Sequence, residues 1–290
     1  MFDIKTKLLL RKINKQLAIF ISAVFIVTLA VLFFVAVKTV YRDFKLSAEN
    51  YFEDNLLDDL VLFGIFSEDD IKTIKDINGV ERAEGKHRFQ GKIEKIENET
   101  EEEKESKESI DTIIYGTDDK YVRINKPYVY KGKYILETNE IAINKNFADA
   151  RSLEIGDEIE LNFNNKTETF IIASLVSYPN YVFLFKDGAS TVSKPEDFAV
   201  VEINEEHFKY IPYNSIYIKY KENVNRVNIE NLIRIKLKQK IFYFTDREQS
   251  VNYVNYEQTL LQIDSFSYIC PAILLLMAIL LLYIIQRRNV

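Results

Sequence analysis

The sequence predicts an α+β extracytoplasmic domain held between two transmembrane α-helices. Two apolar runs without a charged residue, 17–37 and 268–285, carry the first part of this prediction. Each is close to the roughly 20 residues that a helix needs to cross a bilayer. The chain as a whole is 28% charged and 13% aromatic. That composition is too apolar for a disordered chain, so the stretch between the runs is expected to fold.

Two other interpretations of the apolar runs are disfavoured. The first run could be a cleaved signal peptide, but its apolar part exceeds the roughly 7–15 residues of such peptides. The residues that follow it, Lys38–Tyr41, are also not a small-residue cleavage site. The second run could be a buried core helix of a soluble protein, but it has no polar face. An uncleaved membrane helix is therefore predicted at each end.

The positions of Lys and Arg predict the orientation, because cytoplasmic flanks carry the excess of basic residues. Lys12 and Lys15 are the basic residues nearest to the start of the first run, and Arg287 and Arg288 directly follow the second. We therefore expect a protein of the cell membrane with both termini in the cytoplasm. The predicted segments are a cytoplasmic tail 1–16, a membrane helix 17–38, an extracytoplasmic domain 39–266, a membrane helix 267–286 and a cytoplasmic tail 287–290.

Composition and motifs exclude several classes of function. The net charge of −6 provides no basic surface for nucleic acid. The sequence contains neither a GxxxxGK[ST] phosphate loop nor a GxSxG motif. The single cysteine, Cys270, lies in the second apolar run, so no disulfide is expected in the domain. We expect that the chain is not an enzyme and holds no cofactor.

No metal site is predicted either. His87 and His207 are far apart in the sequence and have no cysteine near them, whereas zinc needs three or four clustered ligands. The Glu-rich segment 94–109 could be a calcium or cationic-peptide site. It lacks the Asp/Asn spacing and the turn glycine of calcium loops, so it is interpreted as a solvated loop.

The elements of the domain follow in order. Residues 39–55 continue the first membrane helix as a stalk. A first strand–helix–strand unit comes next: strand 59–64, a helix that begins after Ser67 and ends at Asn78–Gly79, and an extended segment 80–96. A β-rich insert follows, with strands around a Gly116–Asp119 turn in 110–124 and further strands at 139–144, 167–177, 181–185 and 198–203. A short helix 145–150 leads to the segment 153–161, which alternates apolar and polar residues after a Gly156–Asp157 turn, and Asn164–Asn165 is a hairpin turn.

A second strand–helix–strand unit mirrors the first. It consists of strand 215–220, helix 223–239 and strand 241–244. Residues 246–267 are predicted as a helical stalk that runs into the second membrane helix. Two such units around a β-rich insert define the α+β class.

Five segments, in this order, resemble the FtsX/MacB-type permeases of ABC transporters. The matching segments are YFEDNLLDDLVLFG (51–64), SEDDIKTIKDINGVERAEG (67–85), TNEIAINKNFADARSLEIGDEIEL (138–161), TETFIIASLVSYPNYVFLFKD (167–187) and the stalk and second membrane helix with its proline (246–282).

The resemblance implies a MacB-like extracytoplasmic core domain and an ABC ATPase on a separate subunit. It also implies a mechanical role, in which the stalks Thr39–Asn55 and Asp246–Ser267 carry motion and Pro271 is a candidate flex point. The expected partners are the ATPase, the remaining permease helices and membrane lipid. A homodimer and a heterodimer both remain open.

One departure from the family pattern bears on function. Family permeases have four membrane helices and a cytoplasmic coupling helix, whereas this sequence stops after its second apolar run. We therefore expect the N-terminal part of a permease: a split half, a truncated product or an accessory subunit. Two rival classes remain, a two-pass extracytoplasmic sensor and a membrane-anchored structural module. The role of the domain is left open. It could act on a lipid, a lipoprotein or a peptide antibiotic, or it could transmit force to a wall enzyme.

Overall fold

The computed structural model describes residues 17–96, 109–118, 123–186 and 191–288. The chain divides into two compact units, and each is described by itself. One unit contains the chain up to Glu49 and from Glu257 onward, and the other is the domain Asn50–Tyr256. Lys12, Lys15 and most of the Glu-rich segment lie outside the described residues.

In chain order the elements are α1 (Leu17–Asp54), β1 (Leu60–Phe66), α2 (Glu68–Lys75), β2 (Val80–Lys86), β3 (Arg88–Ile96), β4 (Ile110–Thr117), β5 (Tyr128–Gly132), β6 (Glu140–Asn144), α3 (Lys145–Ala150), β7 (Glu158–Phe163), β8 (Lys166–Ser177), β9 (Phe198–Asn204), β10 (Tyr213–Tyr220), α4 (Arg226–Leu237), β11 (Ile241–Asp246) and α5 (Val251–Arg288).

The helices α1 and α5 are each 38 residues long. Both are long and apolar enough to cross a membrane, with a mean hydropathy of 2.6 and 2.4 over their most apolar stretches. Helix α1 continues without a break through its predicted stalk to Asp54. The second stalk is helical only from Val251, because Asp246 ends β11 and Arg247–Gln249 forms a 3₁₀ turn. The limits predicted at residues 38 and 267 fall inside continuous helices.

The two strand–helix–strand units interleave in one four-stranded antiparallel sheet of order β11-β1-β10-β2. This is the β-α-β-β-α-β arrangement of ferredoxin-like folds. The helices α2 and α4 cover one face, and the core there includes Leu62, Ile74, Ile218 and Ile233. The predicted α+β class and the two mirrored units are confirmed.

The β-rich insert forms a closed ring of six strands, in the order β8-β6-β9-β4-β3-β7, because β7 also pairs with β8. The strand β5 adds to the edge of β8. All six strands of the ring contribute to one apolar core. The other face of the four-stranded sheet packs on this barrel through Val61 and Tyr217. The predicted hairpin turn is present, with Asn164 and Asn165 both at positive φ.

Several local predictions were wrong. The helix α2 ends at Lys75 rather than at Asn78–Gly79, because the chain leaves it through successive turns before Gly79, at φ +100, directs it into β2. The extended segment 80–96 is two strands that belong to different sheets and separate at His87.

One strand prediction in the insert is wrong, and another is tested only at its end. Residues 181–185 are not a strand, since Pro179 begins a 3₁₀ turn. Of the strand predicted to end at Ile124, residues 119–122 lie outside the described residues, and Ile124 itself lies in a turn, where its N–H donates to Glu84 Oε2 at 2.7 Å. Strand β7 begins at Glu158, directly after the predicted turn at Gly156, which has a φ of +103.

Candidate functional site

The candidate site is the place where the chain enters and leaves the domain. After α1 ends at Asp54, β1 begins at Leu60, and after β11 ends at Asp246, α5 begins at Val251. The two strands pair antiparallel with Leu60 opposite Asp246. The incoming and outgoing segments, Asn55–Asp59 and Asp246–Ser250, therefore lie side by side. We call these two segments the stalk junction.

An ion pair joins the two segments of the stalk junction. Arg247 Nη2 lies 2.7 Å from Asp59 Oδ1, and Asp59 is buried. The same guanidinium donates to the carbonyl oxygens of Leu57 at 2.7 Å and Asp58 at 2.8 Å. The backbone N–H of Arg247 donates to the Asp59 carbonyl at 3.0 Å. This planar, multidentate cation holds the incoming segment by both its side chain and its backbone.

The four-stranded sheet supplies a second cation to the stalk junction. Lys219 Nζ donates to the Leu57 carbonyl at 2.8 Å and lies 3.7 Å from Asp59 Oδ2. That carboxylate oxygen also accepts a hydrogen bond from the Tyr220 N–H at 2.8 Å. Burial lowers the pKa of Lys219, and the neighbouring positive charge of Arg247 lowers it further. The Asp59 carboxylate is therefore shared by β10 and the outgoing segment.

The barrel is attached at the same place through Asn125. Its side chain accepts from the Asp58 N–H at 3.0 Å and donates to Asp58 Oδ1 at 2.6 Å. The backbone N–H groups of Asn125 and Lys126 donate to Leu56 at 3.0 Å and Asn55 at 2.9 Å. Burial raises the pKa of Asp58, and the hydrogen bond from Asn125 opposes part of that rise.

Aromatic rings pack on the helical residues beside the stalk junction. The Phe52 ring lies 5.2 Å from the Tyr256 ring and 6.2 Å from the Tyr253 ring. The Tyr51 hydroxyl lies 2.8 Å from Ser177 Oγ, at the end of β8. The last turn of α1 is thus packed against the first turns of α5 and hydrogen-bonded to the barrel.

In the other unit, one ion pair joins α1 and α5. Lys38 Nζ lies 2.5 Å from Asp264 Oδ1 and 4.2 Å from the centroid of the Tyr268 ring. The Tyr268 ring is 5.7 Å from that of Phe34. The buried residues of this helix pair include small ones, as expected where helices approach closely in a membrane: Ala23, Ala30, Ser267 and Ala278.

Of the site residues singled out from the sequence, Pro271, Arg287 and Arg288 lie in α5, and Lys12 and Lys15 lie outside the described residues. Pro271 is buried inside α5, twenty residues after its first residue, where it cannot donate a backbone hydrogen bond to Ser267. Arg287 is exposed near the end of α5, and Arg288 is its last residue. Among the described residues, no three His, Cys, Asp or Glu side chains come together as metal ligands.

Sequence reasoning missed the stalk junction. The sequence places Asp59 only at the start of a predicted strand, and Arg247 only inside the predicted stalk 246–267. The two are 188 positions apart, and no local pattern marks them as partners. The available signal is a pair of acids, Asp58 and Asp59, directly before an apolar strand, where burial requires a partner for the charge.

These features define a class: a two-pass membrane protein whose single large domain is a ferredoxin-like sheet with a barrel inserted between its halves. Residues 20–235 match the family model of the MacB-like periplasmic core domain. That match covers well over half of the chain, and the chain belongs to this family. The resemblance to MacB-type permeases read from the sequence is confirmed.

The chain is also similar to two solved structures. The periplasmic region of MacB from Actinobacillus actinomycetemcomitans is 12% identical with a TM-score of 0.40, over 69% of this chain and 91% of that one. The extracellular domain of the noncanonic ABC-type transporter YknZ from Gram-positive bacteria is also 12% identical with a TM-score of 0.40, over 64% of this chain and 97% of that one. No curated protein matches the sequence.

Proposed function

We propose that the chain is the membrane-spanning permease component of an ABC transporter of the FtsX/MacB mechanotransmission type. In this proposal, motion driven by a separate ABC ATPase moves α1 and α5, and the domain responds outside the cytoplasm. The observation that carries the proposal is the stalk junction. The incoming and outgoing segments are bound to each other there, and the sheet and the barrel are bound to the same few residues.

The contacts support transmission in three steps. The ion pair of Asp59 with Arg247 makes the two segments move together. Lys219 carries the displacement into the central strand β10. Asn125 carries it into the barrel. Each step uses buried hydrogen bonds to charged groups, which are stronger than bonds between neutral groups and resist displacement.

The proposal includes an orientation and partners. Both termini are cytoplasmic, with Lys12, Lys15, Arg287 and Arg288 as the basic anchors, and the domain is extracytoplasmic. Family membership supports association with an ABC ATPase. Further permease helices, from this or a partner chain, would complete the transmembrane part, as a homodimer or a heterodimer.

Pro271 is the proposed flex point. Its ring prevents the backbone hydrogen bond to Ser267, so α5 is weakened at one turn inside its apolar run. Bending there would let the cytoplasmic end of α5 move without breaking the stalk. Replacement by Ala would restore the hydrogen bond and stiffen the helix.

The test measures nucleotide-dependent hydrogen exchange in the full chain, purified from membranes with its ATPase and reconstituted in nanodiscs. We expect backbone exchange of 55–59 and 246–250 to change between the nucleotide-free and ATP-trapped states. In Pro271→Ala the ATPase should still turn over, while that change becomes smaller. Ala272→Leu serves as a control in the same turn, because it leaves the proline in place.

Two outcomes would contradict the proposal. If no ATPase co-purifies with the chain, the structural-module interpretation is favoured. If an ATPase co-purifies but exchange at the stalk junction is the same in both nucleotide states, motion does not reach the domain. A two-pass sensor predicts a third pattern, in which exchange responds to an extracytoplasmic ligand and not to nucleotide.

A further inference from the structure

Both histidines of the chain act on one short segment of the domain. A 3₁₀ turn, Glu205–Phe208, leads from the barrel strand β9 to strand β10 of the four-stranded sheet. We call Glu205–Pro212 the crossover. His207 lies in this segment, and His87 contacts it from the other connection, as the single residue between β2 and β3.

His87 is held between two hydrogen-bond acceptors of the crossover. Its Nδ1 lies 2.7 Å from Glu205 Oε1, and its Nε2 lies 2.8 Å from the carbonyl oxygen of Ile211. The ring is buried and stacks on Phe208 at 5.1 Å and Tyr213 at 4.8 Å. The two stacked rings restrict rotation of the imidazole toward other partners.

His207 repeats this arrangement on the barrel side. Its Nδ1 lies 3.2 Å from Glu168 Oε2, on β8, and its Nε2 lies 2.7 Å from the carbonyl oxygen of Thr138. The ring packs 5.3 Å from that of Phe170. Each imidazole thus faces a carboxylate with one nitrogen and a backbone carbonyl with the other.

This geometry requires one additional proton in each pair. A carbonyl oxygen can only accept, so Nε2 must carry a hydrogen in both rings. In a neutral ring the remaining nitrogen would then present a lone pair to a carboxylate, which is repulsive. The pair is satisfied only when one more proton is bound, either on Nδ1 or on the carboxyl oxygen facing it.

Charged groups of both signs surround the two pairs. Glu68, Asp70, Lys209 and Lys240 line the same depression as His87, and Asp70 is paired with Lys240 at 2.7 Å. Glu137 and Glu206 lie in the depression beside His207, and Lys133 approaches Glu137 at 3.4 Å. Glu206 accepts a hydrogen bond from the Thr138 hydroxyl at 2.9 Å.

We infer that the pairs His87–Glu205 and His207–Glu168 form a proton-dependent latch on the crossover. With both protons bound, the latch fixes the barrel to the four-stranded sheet. When the protons leave, each pair places a lone pair against a carboxylate, and the crossover loosens. Histidine in general changes charge between about pH 5 and 8, so the latch would be closed at the acidic end of that range and open at the basic end. The inference concerns the domain alone and does not depend on the proposed transport role.

The test measures hydrogen exchange of 205–212 in the full chain in nanodiscs at pH 5.5 and 8.0, with rates divided by the intrinsic rate at each pH. We expect protection of this segment to fall roughly tenfold at the higher pH. Protection of β9 serves as the internal reference and should stay constant.

Two pairs of variants separate a latch from a merely structural role. In Glu205→Gln with Glu168→Gln, a neutral amide faces each ring and no additional proton is needed, so protection should become independent of pH. In His87→Gln with His207→Gln, the titrating rings are absent, and protection should again be flat with pH at a lower level. Equal protection of the wild-type segment at both pH values would overturn the inference. So would an unchanged pH dependence in the Glu→Gln pair, which keeps both histidines.

Discussion

The stalk junction and the helix pair of α1 and α5 are held together by different means. In the stalk junction, Asp58 and Asp59 are buried, and the Asp59 carboxylate is bound by Arg247, Lys219 and the Tyr220 N–H. In the helix pair, the ion pair between Lys38 and Asp264 joins half-exposed side chains at one level of the helices. We therefore expect the stalk junction to stay intact and the contact between Lys38 and Asp264 to break and re-form.

The comparison shows where mutations should have large effects. Removing one partner of a buried charge leaves the other uncompensated and typically costs about 3–5 kcal/mol. An exposed pair contributes far less, because water and salt screen it. The largest loss in the free energy of unfolding is therefore expected in the stalk junction, and the smallest in the helix pair.

Asp59→Ala should have the largest effect on stability. The substitution leaves the Arg247 guanidinium without its buried carboxylate and removes the acceptor of the Tyr220 N–H. We expect the free energy of unfolding to fall by about 3–5 kcal/mol. The measurement is urea unfolding of the full chain in detergent, followed by the near-ultraviolet circular dichroism of the tyrosines.

Asp69→Ala is the matched control for that prediction. Asp69 also pairs with a lysine, Lys72 at 3.1 Å, but its side chain is 90% exposed. Its replacement should change stability by no more than about 0.5 kcal/mol. Equal losses in the two variants would mean that the stalk junction is no more strongly held than the surface.

Asn125→Gly should have the next largest effect. Asn125 has a φ of +55, which glycine adopts freely, so this substitution removes the side chain without backbone strain. It leaves the Asp58 N–H and carboxylate without their partner, at a cost of about 1–3 kcal/mol. Asn125→Ala should be worse by about a further 1 kcal/mol because of its left-handed conformation. If both variants unfold like the wild type, Asn125 does not tie the barrel to the stalk junction.

Much of the fold could be predicted because its signals are local. The two apolar runs, the cap at Ser67, the hairpin turn at Asn164–Asn165 and the alternation after the Gly156–Asp157 turn each lie within a few residues of the element they specify. The failures occur where a distant partner decides the structure. Ile124 does not extend a strand because Glu84 captures its N–H, and no pattern near Ile124 shows that.

The candidate site was much harder to predict for the same reason. Its flanking stalks and Pro271 are visible as helical and breaker patterns. At the stalk junction, residues 55–59 contact Asn125, Lys219 and Arg247, which come from three other parts of the chain. Their proximity depends on strand order and on closure of the barrel, and neither is encoded in the spacing of any motif.

Asp58→Asn tests the electrostatics of the stalk junction with a smaller expected effect. Burial raises the pKa of Asp58, so the folded state binds its proton more tightly than the unfolded state does. Ionisation of Asp58 therefore reduces stability as pH rises from the unfolded value through the folded one. Asparagine does not ionise and keeps an oxygen to accept from Asn125. The variant should gain stability relative to the wild type between acidic and neutral pH, measured by urea unfolding at several pH values. A difference that is constant with pH would contradict the prediction.

The smallest change in stability is expected in the helix pair, so its test uses proximity instead. Two cysteines are introduced by Phe34→Cys and Tyr268→Cys in a chain that also carries Cys270→Ser. The rate at which they form a disulfide reports how often α1 and α5 approach each other near Lys38 and Asp264. Lys38→Asp places two carboxylates together and should slow cross-linking several-fold at low salt, as should Asp264→Lys with its two ammonium groups. The double swap restores opposite charges and should recover the rate, and 1 M salt should reduce all the differences. If the double swap recovers the cross-linking rate, charge and not the particular side chains sets this contact. If the double swap cross-links as slowly as either single variant, the local packing around Lys38 decides it.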